Sequence, residues 1–188
     1  MRRALPLLTL IALLVLGGCL SAVGPGGPDS ATPDATDTPT PVRTPTGECV
    51  VDEQQTVDPY RDDVEPSDLP HRPTNRSVSS VEAYVVGFEK AYARNQRLSR
   101  ASTQVNTMVT LEAIEERDGT WVVDVVSRTN TWVQGTDTAD GTPTEVHGDG
   151  ARIHVRYHLT EDALYRLQLG YDETAEPGAY GRPVVCFD

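Results

Sequence analysis

Lysine is nearly missing from this sequence: Lys90 stands alone among 16 basic residues, which face 28 acids. A surface so poor in positive charge excludes docking on nucleic acid or on anionic lipid headgroups, because both need a basic footprint. Cysteine is scarce, with only Cys19, Cys49 and Cys186. Long apolar runs are lacking as well. The longest, from Ala4 to Leu16, is broken by Pro6 and falls short of the roughly 20 residues that a spanning helix requires. Neither a Gly-x-Gly-x-x-Gly nor a Walker pattern occurs, and there is no Gly-x-Ser-x-Gly elbow. The common signatures of phosphate cradling and of serine hydrolysis are thereby excluded. No internal repeat is evident.

What is present begins at the N-terminus. Met1-Arg2-Arg3 precedes the apolar run, which ends in Leu16-Gly17-Gly18-Cys19. A positive start, a short apolar core and small residues at a cut describe an export signal, and the last four residues read as a lipobox. Residues 1–18 are expected to be a lipoprotein signal peptide, with Cys19 lipidated and the protein held on the outer face of the cell membrane. Arg2-Arg3 also opens a twin-arginine export route, although Ala4-Leu5-Pro6 follows in place of a strongly apolar pair. The leader carries away Arg2 and Arg3 and holds no acid. Fourteen basic residues then remain against 28 acids, a formal charge of −14. One lipid chain gives only marginal attachment, so a second chain or a further contact is expected.

Residues 19–47 form the lipidated cysteine and a stretch of Gly, Pro, Ser, Thr, Asp and Ala without an aromatic residue. Such a composition buries too little apolar area to offset its ordering entropy and is expected to be a disordered tether. As a flexible coil it reaches about 30 Å. Residues 48–188 are expected to be one globular domain, divided into an extended arm (48–77), a helix (78–101) and a sheet (102–188). The arm keeps Pro59, Pro66, Pro70 and Pro73 among scattered anchors, Val50, Val51, Val57, Tyr60, Val64 and Leu69. Asn75-Arg76-Ser77 is an N-glycosylation acceptor. With Cys19 lipidated, Cys49 and Cys186 remain at the two ends of the domain of an exported protein, and they are expected to pair.

Signal, lipobox, Thr/Pro/Asp tether and an acidic domain almost free of lysine together resemble the secreted lipoproteins of halophilic archaea. The resemblance covers the whole chain as a style, with the lipobox as its sharp motif. It implies a location, and it assigns no activity.

Ser79 and Glu82 have the spacing of a capping box. Val81, Val85, Phe88, Tyr92 and Asn95 recur behind them at helical spacing, widened by Tyr84, Ala91 and Leu98. Arg94, Arg97 and Arg100 fall where cations meet the negative end of the helix dipole, or where an anion finds a site. From Ser102 the pattern alternates. Thr103–Glu116 and Thr120–Val133 read as strands joined at Asp118-Gly119, the favoured centre of a two-residue turn. That register places Ile114 opposite Val123 and Leu111 opposite Val126. Residues 134–150 read as a loop. In Ala151–Leu159, Ile153, Val155, Tyr157 and Leu159 share one face, and Arg152, His154, Arg156 and His158 the other. Ala163–Leu169 reads as a strand with Tyr165, Leu167 and Leu169 on one face, against a helical turn over 161–168. Pro183–Phe187 reads as a short edge strand. The expected fold is α+β: one long amphipathic helix on a curved antiparallel sheet of four to five strands, an order similar to cystatin-like and nuclear-transport-factor-like folds.

No metal site or cofactor is expected. His154 and His158, four apart on a strand, stand about 13 Å from each other, too far for one ion. His147 with Asp149, or with Asp137 and Asp140, departs from the calcium-loop spacing. Glu112, Glu115 and Glu116 read as a solvated strand end. Trp121 and Trp132 suit core or interface better than a sugar platform. The leading expectation is a non-catalytic binding or envelope-interaction module whose partner is an envelope protein or a small ligand. The alternative is an envelope enzyme or solute-binding lipoprotein with a pocket between helix and sheet, formed around Tyr84, Phe88, Trp121 and Trp132.

Overall fold

The computed structural model describes residues 48–51, 63–135, 144–170, 173 and 178–187, all within the unit Thr38–Asp188. Cys19, the tether, Val57, Tyr60, Asp137 and Asp140 lie outside the described residues. Among the described residues, in chain order, come one helix, α1 (Val78–Asn95), and six strands: β1 (Ser102–Arg117), β2 (Thr120–Gln134), β3 (Glu145–Gly148), β4 (Arg152–Leu159), β5 (Ala163–Leu169) and β6 (Arg182–Cys186). The helix packs on a single antiparallel sheet ordered β1-β2-β4-β5-β6, with β3 beside the far end of β2. The class is α+β, as the sequence leads one to expect. The strand count of four to five is corrected to six, because the stretch expected to be a loop supplies β3.

Helix α1 starts at Val78, as expected, but its cap is Ser77, two residues before the expected one. Ser77, at φ −71° and ψ 154°, accepts a hydrogen bond on its hydroxyl from the Ser80 N–H at 3.3 Å. Asn75 fixes this turn: its Oδ1 accepts from the Ser77 N–H at 3.1 Å and from the Ser77 hydroxyl at 2.8 Å. The helix also stops at Asn95 instead of continuing to residue 101. Asn95 clamps the arm, donating to the Ser67 carbonyl and accepting from the Ser67 N–H, both at 2.8 Å. Leu98 then turns away into a second small cluster with Val64 and Val105. Deep on the helix face, Val81, Val85 and Phe88 are wholly buried against Val123, Val125, Val155, Tyr157, Leu159 and Leu164.

The β1–β2 turn has positive φ at Asp118 (50°) and Gly119 (77°), as a type I′ hairpin requires. Ile114 stands opposite Val123. Leu111, however, stands opposite Val125 and not Val126, because an irregularity between Leu111 and Ala113 takes up one residue. On β4, Ile153, Val155, Tyr157 and Leu159 face the helix as their alternation implies. Residues 163–169 form a strand and not a helical turn, since they pair with β4 on one side and β6 on the other. Tyr165, Leu167 and Leu169 do alternate together, but the face that meets the helix is that of Leu164 and Arg166. Strand β6 is an edge. Near its end the Cys186 sulfur lies 2.07 Å from that of Cys49, with 5.8 Å between the Cα atoms, so the arm and the last strand meet at disulfide distance.

Candidate functional site

Three of the elements that face the core, α1, β2 and β5, change character at the same level. The inward positions of β2 run Trp121, Val123, Val125, Ser127, Thr129. Those of β5 run Leu164, Arg166, Gln168, and α1 presents Val81, Val85, Glu89 and Tyr92, with Gln96 just past its end. Apolar packing gives way to polar side chains along one direction.

At the change stands Glu89, with no exposed surface. A buried carboxylate is costly unless paired and fully hydrogen-bonded, and Glu89 is both. Oε1 accepts from the Ser127 hydroxyl at 2.6 Å and from Arg166 Nη2 at 3.1 Å. Oε2 accepts from the Tyr157 hydroxyl at 2.5 Å and from Arg166 Nε at 2.9 Å. These donors fill the roughly four acceptor sites of a carboxylate. Burial and the neighbouring charge of Glu89 push the Tyr157 hydroxyl well above its ordinary pKa. Burial works against the charge of Arg166, but the hydrogen bonds and charge of Glu89 outweigh it and raise its pKa. Glu89 and Arg166 thus form a buried salt bridge, and the carboxylate acceptors, all engaged by neighbours, are closed to a substrate.

Above this floor lies a hollow of about 210 Å³, walled by α1 on one side and by β2, β4, β5 and β6 on the other. Tyr92 links two of its arginines: the Arg166 guanidinium lies over the Tyr92 ring, 4.9 Å from the centroid, and Arg182 Nη2 donates to the Tyr92 hydroxyl at 2.9 Å. Gln96, Arg97, Thr129 and Gln168 complete the polar walls, and Ala93 presents a small side chain. The hydroxyls nearby are engaged. Thr129 is bonded to Thr107 at 2.9 Å, and Ser127 is 1 % exposed and held by Glu89. Nucleophilic attack needs a hydroxyl with a free base beside it, and this hollow offers instead fixed donors suited to holding a ligand.

The hollow is not where the aromatic residues suggested. Tyr84, Phe88 and Trp121 are buried in the filled core; burial raises the Tyr84 pKa to about 12, with Arg72 opposing. Trp132 lies at the far end of β2, stacked on His147 at 4.3 Å between ring centroids. Of the three helix-end arginines, Arg97 lines the hollow, Arg94 donates to the Glu65 carbonyl at 2.6 Å, and Arg100 is exposed. His154 lies 3.2 Å from Glu112, while His158 is buried and stacks on Tyr180 at 4.1 Å. His147 lies 3.5 Å from Asp149. No cluster of three metal-ligating side chains occurs among the described residues. Asn75 is exposed just before the helix.

The residues that build the site, Glu89, Tyr157, Arg166 and Arg182, went unremarked in the sequence apart from the facing of Tyr157. Glu89 carried a signal: it sits four residues after Val85, in the middle of the apolar stripe. The chain matches no family model, no curated protein and no solved structure.

Proposed function

We propose that this chain is a non-catalytic binding domain, held outside the cell membrane by lipid on Cys19 and a flexible tether, which takes a small solute in the hollow between α1 and the sheet. The observation that carries the reading is the hollow itself: donor side chains converge on it above a floor whose carboxylate, Glu89, is saturated by its own neighbours. A volume of about 210 Å³ is smaller than the roughly 300 Å³ and upward of sites for drug-sized ligands, so the solute is small. The acidic, lysine-poor composition supports a place among the lipoproteins of halophilic archaea, and the exposed Asn75 supports its glycosylation. The order of helix and sheet is similar to that of cystatin-like and nuclear-transport-factor-like folds.

The test has two parts. Intact-mass measurement on native material should find Cys19 as a lipidated N-terminus; an unmodified Cys19 rejects the anchor. The full chain, dialysed against a pool of small polar solutes, should retain one or more of them with masses unchanged. Product masses that grow with time would show an enzyme instead.

A further inference from the structure

The geometry points to a small oxyanion, inorganic or carboxylate, as the ligand of the hollow, clamped by Arg97 and Arg182. The inference rests on the reading of the hollow as a binding place and adds its chemistry. Among the described residues, three arginines and one acid line the cavity, and the acid Glu89 uses both oxygens on Arg166. Among the described residues, the ion pairs formed by Arg117, Arg128, Arg156 and Arg166 leave Arg97 and Arg182 without a carboxylate partner. The hollow thus carries about two uncompensated positive charges in a chain whose formal net charge is −12. Both arginines are exposed at the mouth of the hollow, and positive charge gathered at a concave place attracts anions more strongly than the same charge on an open surface.

The clamp is held in position. Arg182 donates to the Tyr92 hydroxyl, and the Tyr92 ring is itself fixed under Arg166. A guanidinium has five N–H donors in a planar fork, so the single bond to Tyr92 leaves Arg182 most of its donors for an oxyanion. Gly181, just before it, packs so closely on β5 that a Cβ there would stand 1.9 Å from the Arg166 carbonyl oxygen. Gln96, Gln168 and Thr129 add neutral groups. Ala93, Ala151 and Ile153 give the hollow an apolar wall beside its polar one, and a bulky solute finds no room. A cation meets like charge.

Calorimetric titration of the full chain in detergent, at neutral pH and low salt, distinguishes the sources. Inorganic phosphate and succinate are the probes. At least one should bind. Arg97→Gln and Arg182→Gln should each weaken binding about tenfold or more, the loss of one charge-assisted hydrogen bond. Arg182→Lys should retain part of it, and added NaCl should weaken it through screening. Arg100→Gln removes the same charge outside the hollow and should change nothing. Unfolding midpoints near that of the wild type show that each variant is folded. Binding of phosphate alone assigns an inorganic oxyanion, and of succinate alone a carboxylate. An equal loss from Arg100→Gln, or no response to either clamp substitution, overturns the inference. If neither probe binds while the dialysed chain still retains a neutral solute, the anion chemistry fails and the hollow remains a binding place. If nothing is retained at all, both readings fail.

Discussion

Glu89 is the residue on which the interior turns. Removing one partner of a buried, fully bonded ion pair leaves the other charge uncompensated, at a cost of about 3–5 kcal/mol. Glu89→Ala should therefore lower stability by about that amount in urea unfolding at neutral pH. Tyr157→Phe, which removes one hydrogen bond to a charged acceptor, should cost less, about 1.5–3 kcal/mol. Equal losses from the two would mean that Arg166 is not what Glu89 chiefly supports. His158 sets a pH dependence. It is buried against Tyr180, and burial, helped by the charge of Arg156 and opposed by Asp124, lowers its pKa to about 4. The unfolded chain, with an ordinary histidine near pH 6.5, takes up the proton first on acidification. The contribution is thus complete above pH 6.5 and is lost as pH falls from there to about 4, about 3 kcal/mol in all. His158→Phe, which keeps a ring against Tyr180, should flatten the stability–pH curve across that window; an unchanged slope would contradict the assignment.

Among the elements, the start of α1 makes a discriminating prediction. Ser77→Ala should cost about 1 kcal/mol, the usual value of an N-cap hydroxyl, while Ser79→Ala should cost far less. The reverse order, read from thermal or urea midpoints, would restore the capping box at Ser79. The elements also show what the sequence made legible. The helical stripe, the Asp-Gly turn and the alternation of β4 were readable because each is a local pattern with one physical cause. The extra residue between Leu111 and Ala113 was not, since no glycine marks it and the alternation reads well on either side. Strand β3 was not, because all its residues are exposed and only its pairing with β2 makes it a strand. The inward face of β5 was not readable because apolar residues occur on both faces. What decides it is Arg166, whose partner Glu89 lies 77 residues earlier in the chain. A polar network between distant elements leaves no periodic trace. Its one visible sign was an acid in an apolar stripe.

At the scale of the whole molecule, the Cys49–Cys186 pair closes a separation of 137 residues. In the chain-entropy account such a closure is worth about 4–5 kcal/mol. The double variant Cys49→Ser/Cys186→Ser, or reduction of the wild type, should lower the urea midpoint by a corresponding amount, and indifference to reductant would remove the link from the account. The closure holds the arm and the edge strand β6 together while Arg182, also on β6, reaches into the hollow. The most direct measurement of the central claim, that the hollow is where a solute sits, compares the wild type with Ala93→Phe. This substitution places a ring in the cavity from a half-buried helix position without entering the filled core. In equilibrium dialysis of the two full chains against the same solute pool, the wild type should retain its ligand, and Ala93→Phe, folded with a similar thermal midpoint, should retain none. Equal retention by both chains would place the binding elsewhere and contradict the account.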